Sequence, residues 1–170
     1  MSEKYFKKRL EREFLPFVER PGRYIGGEYN IAAKPAADVT VLLSYPDRYE
    51  IGMSHLGLKI IYDIINRLPW AAAERAFAVW TDARKLMKEK NIPLFSLETF
   101  RPAGDFDFWG FSLQTELTYP NLLDMIGLAG LPVRARERDW PGTPLILGGG
   151  SGAFNPEPLA DFFDLFLIGD

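Results

Sequence analysis

Leu145-Ile146-Leu147-Gly148-Gly149-Gly150-Ser151-Gly152-Ala153-Phe154-Asn155-Pro156-Glu157-Pro158 is the stretch whose reading decides the fold. An apolar run stops in a glycine cluster, and Asn155 with Pro156 then predicts the start of a short helix, so the stretch reads as a strand feeding a turn. Without Cβ atoms, Gly148, Gly149 and Gly150 are free to take positive φ and to let a ligand lie against bare backbone. The helix start behind them is expected to offer unpaired N–H groups. A second apolar run, Leu165-Phe166-Leu167-Ile168, ends in Gly169 and Asp170. Two successive strand ends thus carry small residues at what should be one edge of a sheet, the edge where open α/β sheets bind ligands. Glycines also end strands in ordinary βα turns, but a run of them exceeds what such a turn needs.

Working outward, the same alternation recurs. Val39 to Leu43 is a β-branched and aliphatic run, followed by a long loop and a helix from about Ser54 to Asn66 that Leu68-Pro69 stops. Phe77 to Trp80 reads as a second strand, with Asp82 capping a helix over Ala83 to Lys90. Pro93 to Leu97, Phe106 to Leu113 and Pro132 to Arg136 are further candidate strands, and Thr118-Tyr119-Pro120 caps a helix through Ala129 that Gly130 closes. Strands interleaved with helices predict an α/β fold, a doubly wound and mostly parallel sheet of about five strands. Ahead of it, residues 1–37 form an N-terminal extension. Phe6, Leu10 and Phe14 recur at helical spacing among lysines and arginines, giving an amphipathic helix over Lys4 to Phe17, and Glu19 to Ala37 reads as a surface loop. Residues 38–170 are then the α/β domain.

The chain has 170 residues, enough for a full core, and its 20 basic against 23 acidic residues leave a net charge of -3. That balance provides no field to attract a phosphate backbone, so nucleic-acid binding is not expected. The start Met1-Ser2-Glu3-Lys4 has no apolar signal core and no apolar run is long enough to cross a bilayer, which predicts a cytoplasmic protein without membrane contact. With no cysteine and His55 as the single histidine, the 170 residues have no thiolates for an iron-sulfur cluster and no histidine-rich metal site. Any metal would arrive inside a cofactor.

Three strand ends carry unusual sequence and should meet on one edge, making a long crevice. The first is Ser44 to Leu58, rich in aromatic and charged residues, where Tyr45, Met53, Ser54, His55 and Gly57 are candidate binding residues. Ser54 is expected to cap the following helix, leaving His55 in its first turn, where the positive helix end would keep the imidazole neutral. The second is Ser112 to Thr118, where Ser112, Gln114 and Thr115 present hydroxyls and an amide. The third is the glycine turn, with Gly148, Gly149, Gly150, Ser151, Phe154 and Asn155, joined by Gly169 after the last strand. Glu50 and Glu116 are loop carboxylates, but without a nucleophile elbow or a second histidine they do not make a hydrolase. Ser44-Tyr45-Pro46-Asp47 stands where a dinucleotide fold carries Gly-x-Gly-x-x-Gly, and no phosphate loop ending in Gly-Lys-Ser is present.

Pro21 to Asn30, Tyr45-Pro46-Asp47 with Ile51 to Gly57, Trp109-Gly110-Phe111-Ser112, and Gly148-Gly149-Gly150 with Asn155-Pro156-Glu157-Pro158 before Ile168-Gly169-Asp170 together resemble the N-terminal cobalamin-binding-type domain of radical S-adenosylmethionine (radical SAM) proteins. The resemblance is to the bacterial branch in particular, whose first domain precedes a radical SAM barrel. It implies a Rossmann-like sheet whose loop edge faces the corrin ring of cobalamin, with the cofactor's tail running beside the glycine-rich strand. It also implies a C-terminal barrel beyond residue 170 that holds the iron-sulfur cluster and S-adenosylmethionine and acts on a substrate the sequence does not identify. This stretch alone is then non-catalytic. The Asp-x-His-x-x-Gly motif of mutases and methionine synthase is absent, since Met53 precedes His55 by two and Leu58 follows it by three. That departure argues against a histidine on cobalt. Three readings stand: a cobalamin module supporting methyl transfer or another radical modification, a cobalamin-free domain packing on the barrel and shaping substrate access, and an independent nucleotide binder.

Overall fold

A helix, α1 (Glu3–Glu13), leads into β1 (Val39–Arg48), α2 (Tyr49–Ser54), α3 (Leu56–Arg67), β2 (Ala71–Ala78), α4 (Thr81–Lys90), β3 (Phe108–Ser112), α5 (Tyr119–Leu128), β4 (Leu145–Gly149) and β5 (Leu165–Leu167). This is a computed structural model, which describes residues 3–29, 31, 32, 34 and 37–169, without the side chains of the first two. Asn30 and Asp170, both part of the resemblance above, lie outside the described residues, as does Pro35 of the expected surface loop. The five strands are all parallel, in the order β2-β1-β3-β4-β5. The expected α/β sheet is therefore present. Its order reverses at β1, so the C-terminal ends of β1 and β3 flank the switch point at which such sheets open a crevice.

Registered residues of parallel strands point to the same side, and the two sides differ. On the first, Leu42, Trp109, Phe111 and Ile146 join Ala83 and Met87 of α4 and Leu122, Met125 and Ile126 of α5 in one buried core. Phe6, Leu10 and Phe14 complete it, with Phe14 edge-on to Tyr24 at 5.3 Å and to Phe95 at 5.8 Å. The indole of Trp109 is wholly buried and donates its Nε1–H to Ser44 Oγ at 2.9 Å, which satisfies a polar atom that burial would otherwise penalise. On the second side, Leu43, Ala73 and Phe77 pack under Leu58 and Tyr62 of α3. That helix packs on β1 and β2.

Several local expectations are corrected. β2 starts at Ala71, ahead of the expected Phe77, because its Ala71-Ala72-Ala73-Glu74-Arg75 half shows neither alternation nor β-branched residues. Burial of its charges is offset by pairing: Arg75 Nε donates to Glu98 Oε1 at 2.7 Å, and Thr99 Oγ1 donates to Glu74. Pro93 to Leu97 contributes only an isolated bridge between Phe95 and Pro102, and Pro132 to Arg136 runs into a 3-10 turn at Ala135–Glu137. Trp80, not Asp82, stands at the N-cap of α4, while Asp82 Oδ2 accepts the Glu19 N–H at 2.6 Å. Thr118 is the N-cap of α5 by position, but its hydroxyl donates to Thr115 O at 2.8 Å. Gly130 closes that helix region at φ +77°, as expected.

Candidate functional site

Most of the expected long loop after the first strand is regular structure. β1 continues through Ser44-Tyr45-Pro46-Asp47-Arg48, and α2 and α3 come next with only His55 between them. Ser54 does not cap α3, since its Oγ donates to Glu50 O at 2.7 Å. His55 does: its Nδ1 accepts the Leu58 N–H at 3.1 Å, and its ring stacks on Tyr45 with centroids 4.8 Å apart. An Nδ1 that accepts a backbone proton carries none itself, so the neutral ring holds its proton on Nε2 and has no free lone pair for a metal. Burial, rather than the helix end, lowers its pKa and favours this neutral form. Gly57 lies beneath the ring, where a Cβ would stand 3.1 Å from His55 Cε1. Met53 packs beside the α3 cluster.

The glycine run divides by face. Gly148 lies on the first, filled side, and a Cβ there would meet Leu113, Phe166 and Phe163 side chains at 2.9 to 3.1 Å. Gly150 has φ +102°, and a Cβ on it would stand 2.7 Å from Leu113 O. The turn folds tightly on Leu113, whose N–H donates to Gly149 O at 2.7 Å while its carbonyl accepts the Gly152 N–H at 2.9 Å. The Ala153 and Asn155 N–H groups are taken by Gly150 O and Gly152 O. The chain continues as a pair of 3-10 turns, Ser151–Phe154 and Glu157–Leu159, in place of the expected helix. Gly149 differs from its neighbours: a Cβ would touch only Leu167, at 3.9 Å.

Gly149 belongs to the second side. There Gly110 is registered with Leu43 and Leu147, and Ser112 with Gly149, giving a row of small residues along β3 and β4 that α3 leaves uncovered. Tyr45 follows Ser44 into the same row on β1. At its C-terminal end, Gln114 Nε2 donates to Ser112 Oγ at 3.3 Å and Ser151 Oγ donates to Gln114 Oε1 at 3.2 Å, a polar rim open to solvent. Thr115 is spent on capping the turn at Glu116–Thr118, where its Oγ1 accepts the Leu117 N–H at 3.4 Å. Phe154, Asn155 and Gly169 are exposed beyond that rim. The structure therefore gathers Tyr45, His55, Gly57, Ser112, Gln114, Gly149 and Ser151, and turns Gly148, Gly150 and Thr115 to structural work. Sequence reasoning missed Gly110, whose signal was a glycine inside the apolar run Phe108 to Phe111.

A second concavity, of about 380 Å³, opens at the same edge above β1 and β2, lined by Arg48, Trp80, Arg84, Asn121 and Asp124 among others. Three of its polar groups are engaged: Arg84 pairs with Asp124 at 2.6 Å, and Asn121 Nδ2 donates to Pro46 O at 3.1 Å. Beside it Arg23 Nη2 holds Glu50 Oε1 at 2.8 Å and lies over Trp80. Burial raises the Glu50 pKa, but hydrogen bonds from its own backbone and from Arg23 outweigh that and hold it below the usual value, which makes it an anchor rather than a general acid. Among the described residues no cluster of metal-ligating side chains forms, and no helix is long and apolar enough to cross a membrane.

A five-stranded, all-parallel sheet with helices on both sides defines the class: a Rossmann-like α/β domain. Residues 57–170, about two thirds of the chain, match the model of the family described as radical SAM proteins, N-terminal, and the chain belongs to that family. It is thus the N-terminal part of a radical SAM protein. No curated protein and no solved structure matches it.

Proposed function

We propose that the domain is the cobalamin-binding module of a radical SAM enzyme, supporting methyl transfer or another radical modification carried out with the C-terminal part of the same chain. The observation that carries the reading is the patch of small residues Gly110, Ser112 and Gly149 beside α3, bordered by Leu43 and Leu147, where an elongated ligand tail can approach the backbone of β3 and β4. The residues fit such a group. Ser112 and Gln114 offer a hydroxyl and an amide at the rim, and the Tyr45–His55 pair forms an aromatic wall at the end of β1. Cobalamin bound there would supply a cobalt centre able to carry a methyl group. His55 stays on Leu58 N–H and off the metal, in keeping with the broken histidine motif.

The test is a titration of the full-length chain with hydroxocobalamin, followed by visible absorbance. Gly149→Val is expected to abolish binding while leaving circular dichroism unchanged, because its new side chain enters the strip and its Cβ meets only Leu167, at ordinary contact distance. His55→Ala is expected to leave the cobalt(II) paramagnetic spectrum unchanged. Unimpaired binding by Gly149→Val, or nitrogen splitting that vanishes in His55→Ala, would overturn the reading. A parent chain that takes up no cobalamin would favour the second reading, a packing domain that shapes substrate access, for which the exposed Leu165 and Leu167 speak.

A further inference from the structure

We infer that the concavity of about 380 Å³ above β1 and β2 is a binding site for a small organic anion, a carboxylate or phosphate carried on an apolar body, with Arg48 as the anion's partner. It lies between the ends of these strands and the start of α5 and shares no residue with the patch Gly110, Ser112 and Gly149, so the inference stands whether or not cobalamin binds.

Size and position suit a ligand. The volume falls within the range of small-molecule pockets, about 300–1,000 Å³, and the carboxyl ends of parallel strands are where α/β sheets bind. Part of the lining is apolar. Ala78, Val79, Pro120 and Met125 contribute to it together with the indole of Trp80, which is 41% exposed. An apolar group resting there removes their surface from water.

The charges of the lining are unequally occupied. Both oxygens of Asp124 are taken, Oδ2 by Arg84 at 2.6 Å and Oδ1 by Lys88 at 3.7 Å, and Asp47 Oδ1 accepts the Arg48 N–H at 2.7 Å. Beside the concavity, Glu50 Oε1 is shared by Arg23 Nη2 at 2.8 Å and Arg20 Nη1 at 3.6 Å. The Arg48 guanidinium differs: it is exposed, and among the described residues it forms neither an ion pair nor a hydrogen bond. Each carboxylate of the lining has a partner within the fold, so the group left to meet a ligand is a cation. That cation is also held in place. It lies over the Trp80 ring at 5.9 Å, the ring that Arg23 approaches at 5.4 Å, and the Trp80 N–H donates to Tyr24 Oη at 3.1 Å. A guanidinium steadied in this way keeps its donors for a planar oxyanion and loses less freedom when it takes one.

The test is a titration of the full-length protein, labelled with fluorotryptophan, with phenyl phosphate and in a separate arm with benzoate, followed by fluorine magnetic resonance. Trp80→Phe identifies the Trp80 signal. A saturable shift of that signal with at least one probe is expected, and the tighter of the two tells a phosphate site from a carboxylate site. Arg48→Gln should weaken binding about tenfold or more, the scale of a hydrogen bond to a charged group. Arg48→Lys retains the charge without the planar fork and should lose less. Circular dichroism of both variants should match the parent's, because the side chain has no partner in the fold to lose. Benzyl alcohol, an uncharged ring of similar size, should bind more weakly than the anions. No saturable shift with either probe, equal affinity in Arg48→Gln, or benzyl alcohol binding as tightly as the anions would each overturn the inference. Gly149→Val should bind the probes as the parent does, which keeps failure of the cofactor reading distinct from failure of this one.

Discussion

The two sides of the sheet are made by the same five strands, and they obey different rules. On one, Trp109, Phe111 and Ile146 are closed under three helices, and even the glycine there, Gly148, is hemmed in by Leu113, Phe163 and Phe166. On the other, one residue further along each strand, Gly110, Ser112 and Gly149 look outward past α3. The filled side holds the larger buried core, and the open side is the one on which the proposed ligand would lie. Neighbouring glycines of the same run therefore have opposite meanings.

The sharpest way to break this contrast is to empty the filled side. Trp109→Ala should cost about 3–5 kcal/mol, as truncation of a fully buried aromatic does, with the Ser44 hydroxyl losing its partner as well. Urea unfolding followed by tryptophan-independent circular dichroism would measure it, and a loss under about 1 kcal/mol would mean that the core is not where the packing places it. Next comes the glycine pair. Gly148→Val should destabilise by about 1–3 kcal/mol or more through overpacking, while Gly149→Val should be close to neutral in the same melt. Equal losses would erase the distinction between the sides.

The smallest effect concerns the rim. Because burial lowers the His55 pKa, the unfolded chain binds a proton that the folded chain does not, and stability rises with pH between the two values. The contribution is complete above the unfolded value of about 6.5 and is lost as pH falls through the lower folded value. His55→Asn retains a capping oxygen for Leu58 N–H without titrating, so its stability should be flatter than the parent's over that range. Identical pH profiles would show that the imidazole does not titrate with the fold.

Much of this contrast is legible in the residues and part is not. Val39 to Leu43, Leu145 to Leu147 and the Phe6, Leu10, Phe14 stripe announce strands and a packing helix, because continuous apolar runs and helical spacing are local signals. β2 reads late and short, since buried alanines and the paired Glu74 and Arg75 look like a solvated segment until Glu98 and Thr99 are brought beside them. The glycine run is visible, but its division is not. One step along a strand reverses the face, and only the register with β3 and β5 tells which glycine looks outward. His55 stands out in the sequence, yet its capping bond depends on α2 ending at Ser54, which the expected loop conceals.

β5 is three residues long and, among the described residues, hydrogen-bonds to β4 alone, so its outer edge offers unpaired backbone groups flanked by Leu165 and Leu167. Synthesis runs from the N-terminus, so on the ribosome β5 is the last of the five strands to emerge. Once it has paired with β4, the domain presents a strand edge beside exposed leucines to every neighbour, the combination that seeds edge-to-edge aggregation.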